Sequence, residues 1–177
     1  MSMVIDGSNG LTYPNGATNG GYINGSTAVA TTSGTAINFT GIPTWVKRIS
    51  FIWSGVSSSG SSNYLIQVGA SSYATSGYLN NSFYTVGSSG AAQTSTSGFQ
   101  IYHDTASNVR NGIITLDLLD SSTNSWSCNG FTGDSSSSYT MFTAGSIALS
   151  GSLNQIRATT VNGTDTFTAG KMNIFWE

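Results

Sequence analysis

The sequence predicts an all-β fold: a jelly-roll-like antiparallel β-sandwich of about ten strands with an extended arm at its N-terminus. Short apolar segments alternate with a period of two, the pattern of strands that bury one face. Turns rich in Ser, Gly, Asn and Asp separate these segments every ~8–12 residues. Charged residues make up only 7% of the chain, so the residue types that build exposed helical faces are scarce. A single sheet closed on itself in up-and-down order is the structural alternative.

Residues 1–35 form the predicted arm. They contain four Asn-Gly pairs, which favour type I′ turns, and few apolar residues. Two extended pieces, 3–6 and 10–13, are expected to pair across the turn at 7–9. Because this hairpin buries too little apolar surface to fold alone, we expect it to order against a partner or a neighbouring subunit. A flexible N-terminus is the alternative. The residues expected to anchor the arm are Val4, Ile5, Leu11 and Tyr13.

Residues 36–177 form the predicted sandwich domain. The least regular part, 70–97, is expected to hide one short strand near 77–80. The other predicted strands are 36–40, 46–56, 64–69, 98–103, 112–119, a segment around Trp126 and Cys128, 139–143, 146–150, 155–161, 165–167 and 171–176.

Two of these strands have specific expectations. Strand 112–119 is the most apolar, with Ile114 and Leu116 on one face and Ile113 and Leu119 on the other. Apolar residues on both faces predict a central strand that is covered on both sides. The strand at 155–161 is expected to pair with 165–167 or with the last strand.

Composition excludes several classes of partner. The net charge is -2, with only 5 Lys and Arg residues, so the chain lacks the cations that neutralise nucleic acid phosphates or an anionic membrane surface. No run of ~18 apolar residues and no signal peptide is visible. We therefore expect synthesis in a cytoplasm, with release by a route such as lysis. The single Cys128 rules out an intramolecular disulfide.

Residues that carry catalysis or bind metals are few and dispersed. His103, beside Asp104, is the only histidine, whereas a zinc site would need further His or Cys ligands. No G-x-S-x-G motif marks a nucleophilic serine, and most Asp residues flank turns, where Asp commonly bonds its own backbone. We therefore expect no enzymatic activity, no catalytic residue and no cofactor. A structural Ca²⁺ stays open for the oxygen-rich loops around Asp104, Asp120 or Asp134.

Sugar binding is the one ligand chemistry that the composition favours. Aromatic rings stack on sugar faces, and loops rich in Tyr, Ser, Gly and Asn are typical of adaptable binding surfaces. The irregular segment 73–84 and the turn at 120–126 combine these residue types. The candidate glycan contacts are Tyr73, Tyr78, Tyr84, Asp120, Asn124 and Trp126.

Several stretches together resemble bacteriophage virion proteins. Residues 4–16 read VIDGSNGLTYPNG and are similar to an opening or linking segment of such proteins. Residues 36–56, AINFTGIPTWVKRISFIWSGV, and 153–177, LNQIRATTVNGTDTFTAGKMNIFWE, resemble the first and last strands of a β-sandwich module at the C-terminal ends of tail-fibre proteins. Residues 113–119 resemble its middle.

This resemblance implies a virion structural protein with no catalytic residues to transfer. It implies a homo-oligomer, commonly a trimer, that contacts other virion proteins through the arm. The expected function is a short tail fibre or fibre tip that contacts host-surface glycan. Because the module fills nearly the whole chain, a head fibre or a capsid decoration protein is the alternative. Oligomerisation would also cover edge strands that have few Lys residues to protect them.

Overall fold

The structure is a computed structural model that describes residues 4–6, 10–12, 18–19 and 24–177. It confirms the antiparallel β-sandwich, with thirteen strands from residue 24 onward. The described residues contain no helix, so none there has the length and apolarity that a membrane crossing requires.

The strands are β1 (Val4–Asp6), β2 (Gly10–Thr12), β3 (Thr18–Asn19), β4 (Asn24–Gly25), β5 (Val29–Ala30), β6 (Ile37–Thr40), β7 (Arg48–Ser58), β8 (Tyr64–Gly69), β9 (Leu79–Val86), β10 (Ser89–Ser95), β11 (Phe99–Ile101), β12 (Arg110–Asp120), β13 (Ser125–Asp134), β14 (Tyr139–Ala148), β15 (Gln155–Thr160) and β16 (Phe167–Trp176).

Two sheets form the sandwich. The large sheet has the order β10-β9-β14-β13-β12-β7-β16-β4, with β5 also paired to β16. The small sheet has the order β11-β8-β15-β6. The chain passes repeatedly from one sheet to the other, and in the large sheet only β9–β10 and β12–β13–β14 are consecutive strands that pair with each other. With four strands against nine, the small sheet covers only part of one face of the large sheet.

The core lies between the inner faces of the two sheets. Strand β7 alternates as predicted, with Phe51 and Trp53 buried and Ile52 on the opposite face. The ring of Trp53 packs edge-on against Tyr64 of the small sheet at a centroid distance of 5.3 Å. Full burial of each large apolar side chain contributes roughly 1.5–3 kcal/mol, so the contact between Trp53 and Tyr64 stabilises the packing of the two sheets.

The prediction for residues 70–97 was wrong about the amount of structure. Instead of one short strand, the segment contains the hairpin of β9 and β10. Its inward positions include Asn80 and Ser82, so the apolar alternation that marks a strand is weak. Asn80 replaces apolar packing with hydrogen bonds, because its amide donates to Thr143 and its carbonyl accepts the Gln100 N–H.

The predicted partners of strand 155–161 were also wrong. β15 lies in the small sheet, where it pairs with β6 on one side and β8 on the other, so both of its edges are occupied. The turn after it leads the chain into the other sheet. In that turn Asn162 accepts hydrogen bonds from the N–H groups of Thr164 and Asp165, as Asx turns do.

The N-terminal pieces pair as predicted, with β1 antiparallel to β2 and Val4 opposite Thr12. β3 adds to β2. β4 and β5, which fall inside the predicted arm of residues 1–35, pair with β16 in the large sheet.

A close backbone approach occurs where β16 bulges against β7. The register shifts between Ala169 and Lys171, and Gly170 between them has a φ of 92°. A Cβ at this position would lie 2.3 Å from the carbonyl oxygen of Gly55, so the contact requires glycine.

Candidate interaction face

A row of apolar side chains crosses the outer face of the large sheet. Phe142 lies opposite Phe83 on β9 and opposite Phe131 on β13. Phe131 lies opposite Ile113 on β12, which in turn lies opposite Ile52 on β7. Directly opposite residues of an antiparallel ladder point to the same face, so all five project away from the core. We call these five residues the apolar strip.

The apolar strip is open to solvent. The exposed fractions are 41% for Phe83, 48% for Phe142, 49% for Phe131 and 44% for Ile113. The rings of Phe131 and Phe142 contact each other edge-on, with centroids 5.0 Å apart. Together these four side chains expose ~350 Å² of apolar surface, which is in the range of the largest patches on monomeric proteins. Such patches commonly mark interaction sites.

Two grooves follow the strip. The first has a volume of about 450 Å³ and lies between the aromatic rings and the amides of Asn81 and Asn129. The second, of about 350 Å³, runs from Ile113 to Phe175 and Trp176 near the C-terminus. Ile113 lines both grooves, which therefore lie next to each other on the outer face of the sheet.

The row on one side of the strip is uncharged and mainly polar. Its opposite residues are Asn81, Ala144, Asn129, Thr115 and Ser50, from β9 to β7. On the other side of the strip, the exposed Lys171 of β16 lies opposite Ser54 of β7 and points to the same face. On the first side, charges come one row further out. There Arg48 contacts Asp117 at 2.5 Å and Glu177 at 3.2 Å, and its bond to Asp117 raises the Arg48 pKa above its usual value. The face therefore combines an apolar centre with hydroxyl and amide flanks.

Strand β12 shows how the sequence encoded this face. Its position in the middle of the sheet agrees with the prediction, but the predicted cover on both sides was wrong. Ile114 and Leu116 are buried against the small sheet, whereas Ile113 and Leu119 are exposed. The sequence pattern attributed Ile113 and Leu119 to a second buried face. These outward apolar residues are the sequence signal that marks the exposed outer face.

The other strip residues were not among the predicted site residues. Phe131 and Phe142 alternate with the buried Thr132, Met141 and Thr143, so an exposed aromatic residue takes the outward position of each strand. A reading of both faces of β13 and β14 would have found them.

Two predicted glycan contacts were wrong because they are buried. Tyr78 has no exposed surface, and its hydroxyl accepts the Val68 N–H at 2.9 Å and donates to the Ala74 carbonyl at 3.1 Å. Trp126 is 3% exposed and belongs to the core. Neither ring can stack on an external sugar.

The other four predicted contacts lie at or near the surface. Tyr73 is half-buried under the Arg157 guanidinium, which lies 4.4 Å from its ring centroid. Tyr84 is half-buried and stacked on Tyr102 at 3.7 Å between centroids. Asp120 accepts hydrogen bonds from Ser122 and Thr123 in an exposed turn, and those bonds lower its pKa. Asn124 has a φ of 50° in the same turn.

The structure does not bring the predicted contacts together. Tyr84 lies opposite Met141 and Trp126 lies opposite Ile147, six positions apart along β14. This separation corresponds to ~20 Å of strand. The predicted glycan contacts therefore form no single site. Of the predicted arm residues, Val4, Ile5 and Leu11 lie in β1 and β2, and Tyr13 lies outside the described residues.

A second cluster of polar groups is buried at one end of the sandwich. Arg110, with no exposed side-chain surface, donates a hydrogen bond to Asp134 and another to the Tyr102 carbonyl at 3.3 Å. Burial alone would raise the pKa of Asp134, but hydrogen bonds from Ser136 and Ser137 and the charge of Arg110 outweigh it and lower the pKa to about 2. The Asp134 carboxyl is thus ionised at neutral pH.

His103 lies in the same buried end. Its Nε2 is 3.0 Å from Ser58 Oγ and 3.1 Å from the Gly60 carbonyl oxygen. A Ser-His contact is the starting geometry of an activated nucleophile. Both residues are only 2% exposed, however, and burial together with the charge of Arg110 lowers the His103 pKa to about 4. The imidazole is therefore a weak base, placed where a substrate cannot reach it.

Metal ligands and thiols give no further site. Within the described ranges, no group of three or more His, Cys, Asp or Glu side chains is close enough to hold a metal ion. Cys128 lies on the inner face of β13 at 2% exposure, and burial raises the pKa of its thiol. A buried thiol of this kind packs as a small apolar side chain.

Comparisons of the chain with protein-family models, with curated proteins and with solved structures found no match.

Proposed function

We propose that the chain is a non-enzymatic structural protein of a bacteriophage particle, in a short tail fibre or fibre tip, and that it binds other macromolecules through the apolar strip. The observation that carries the proposal is the row of half-exposed apolar side chains from Phe83 to Ile113 on the outer face of the large sheet. The resemblance of residues 36–56 and 153–177 to a tail-fibre module supplies the setting.

The distribution of reactive groups supports a binding role over a catalytic one. The Ser58–His103 contact is buried, and the Asp120 carboxylate is held by hydrogen bonds within its own turn. The two grooves of the outer face are lined mainly by aromatic, aliphatic, amide and hydroxyl side chains, with the ion pair of Arg48 and Glu177 at the edge of the second. Groups of this kind recognise a surface and do not transfer protons at neutral pH.

Contact with host-surface glycan is a second candidate for this face. The observation that favours it is the groove in which Phe83 and Phe131 lie beside Asn81 and Asn129, since sugar sites combine ring faces with amides. A purely architectural role, as in a head fibre or capsid decoration protein, is the alternative. The apolar character of the strip favours a protein partner.

The first experiment asks whether the chain belongs to a particle. We expect mass spectrometry to find it in purified particles of the phage that encodes it. In the full chain, replacing Val4, Ile5 and Leu11 by Ser is expected to abolish incorporation, whereas Val161→Ser serves as the matched exposed control. Particles that contain the triple variant at the wild-type level would contradict attachment through the arm, and absence of the wild-type chain from particles would refute the proposal.

The second experiment separates the ligand classes. Saturable binding to host polysaccharide that Phe131→Ser removes would establish the glycan role, and absence of binding would leave the architectural one. Release of reducing ends from that polysaccharide would show that the protein is an enzyme.

A further inference from the structure

We infer that the outer face of the large sheet docks on the same face of a second copy of this chain, around a two-fold axis that runs along β13 past Phe131. The inference rests on the proposed structural role and names the partner of the apolar strip. It puts a two-fold dimer in place of the trimer that the resemblance to tail-fibre proteins implies.

The extent of the face suits such a contact. The strands from β9 to β16 lie side by side, and a spacing of ~4.8 Å gives a width of ~29 Å. Three rows of outward side chains span ~20 Å along the strands. The projected area of ~600 Å² approaches the ~800 Å² per partner of a standard interface. Stacking of two sheets at ~10 Å is also a common way for β-structure to bury a face.

The strip is complementary to itself about this axis. Phe131 is the middle of the five residues, so rotation brings each copy's Phe131 against the other. Phe142, one strand to one side, then faces the second copy's Ile113, one strand to the other side. Phe83 likewise faces Ile52. Each aromatic ring outside the centre meets an aliphatic side chain, which avoids two large rings competing for one space. Because stacked sheets cross at about -30°, the match is closest near Phe131.

The polar rows are compatible with the same rotation. Asn129 of one copy faces Asn129 of the second copy, and Asn81 faces the second copy's Ser50, so amide and hydroxyl groups meet. In the next row, Asp117 faces Ser146 and Arg48 faces Leu79. No like charges are brought together, because Arg48 and Asp117 lie on the same side of β13.

Other occupants fit the face less well. An anionic lipid surface or a nucleic acid requires clustered Lys and Arg, and Arg48 on this face is already paired with two carboxylates. A strongly charged protein would find no opposite charges along the strip, since Arg48, Asp117 and Lys171 lie in other rows of the face. The strip matches a flat, apolar partner, and the strip of another copy has these properties.

The test measures the mass of the full chain in solution by sedimentation velocity and native mass spectrometry. We expect a dimer at micromolar concentration. Phe142→Asp and Ile113→Lys are each expected to weaken dimerisation at least 100-fold, and an equimolar mixture of the two variants is expected to recover a heterodimer, because residue 142 of one copy faces residue 113 of the other. Phe131→Thr is also expected to weaken dimerisation, and it adds no charge. Threonine has a high β-propensity, so we expect β13 to form in this variant. Val161→Asp is the control, since Val161 is 53% exposed and lies outside the face.

A wild-type monomer at 100 µM would overturn the inference, and so would a dimer unaffected by the three strip variants. A trimer would overturn the two-fold arrangement, and strip variants that are monomeric but gain no heterodimer on mixing would overturn the facing of Phe142 and Ile113. A monomer that binds host polysaccharide through the strip would replace the second copy by a glycan. These measurements use no particles, so their failure is distinguishable from failure of incorporation.

Discussion

Phe131 and Phe142 occupy directly opposite positions on β13 and β14, with ring centroids 5.0 Å apart, and each leaves about half of its surface exposed. In a sandwich core, such a pair would be covered by the facing sheet. Here the small sheet covers the other face, so the contact between the two rings buries only part of each. The pair is the centre of the face on which the functional proposals depend.

Tyr78→Phe tests the correction of the glycan contacts. Removal of the Tyr78 hydroxyl leaves the Val68 N–H without its acceptor in a buried place, so we expect the free energy of unfolding to fall by ~1–3 kcal/mol. Tyr73→Phe is the matched control, because the Tyr73 hydroxyl has no hydrogen-bond partner in the described part of the chain. Urea denaturation measures both. Equal stability of the two variants would contradict the structural role of Tyr78.

Gly170→Ala tests the close approach of β16 to β7. Alanine must adopt a φ of 92° and place its Cβ 2.3 Å from the Gly55 carbonyl oxygen, so we expect a loss of at least ~2 kcal/mol in unfolding free energy. Gly151→Ala is the control, since its Cβ would meet Ala70 at an ordinary 3.5 Å. A thermal melting temperature of Gly170→Ala equal to that of the control would show that the bulge is not constrained.

The buried His103 predicts how stability depends on pH. Its pKa is lowered to about 4, below the ~6.5 of an unfolded chain, so the unfolded state binds more protons between these values. Stability is therefore highest above pH 6.5 and falls as the pH decreases toward 4. Between pH 7 and pH 5 we expect a loss of ~1–2 kcal/mol from this residue.

Chemical denaturation of the wild type and of His103→Gln at pH 7 and pH 5 measures this loss. Gln keeps a side-chain amide near the Gly60 carbonyl but does not titrate, so the variant is expected to lose less stability between the two pH values. Asp134, with a pKa of about 2, stays ionised between pH 7 and pH 5 and therefore does not contribute to the measured change in unfolding free energy. An equal pH dependence in both proteins would assign the effect to other groups.

The sequence predicted the fold class well because alternation carries most of the information about strands. Strand 64–69 matches β8, and the alternation around Phe51 matches β7. The β9–β10 hairpin escaped prediction because the polar Asn80 and Ser82 face inward where apolar residues would mark a strand, and Asn80 forms hydrogen bonds there in place of apolar packing. The pairing of β15 escaped because it joins β6 and β8, which lie far from it along the chain.

The candidate site was harder to predict than the fold. The predicted contacts were three tyrosines, one tryptophan and two polar residues in irregular or turn-rich segments, yet Tyr78 and Trp126 are core residues. The exposed aromatic residues lie instead in regular strands, where an apolar residue normally indicates burial. Ile113 was visible in the sequence as a second apolar face of its strand. Only the arrangement of the sheets shows that this face is uncovered.

The buried Cys128 gives the chain a natural reporter of its own opening. It is the single cysteine, and it lies on the inner face of β13, three residues before Phe131 of the apolar strip. An alkylating reagent can reach the thiol only when this part of the sheet separates from the small sheet, so the labelling rate counts those openings. A partner bound to the outer face would lower the labelling rate of Cys128 without contacting the thiol.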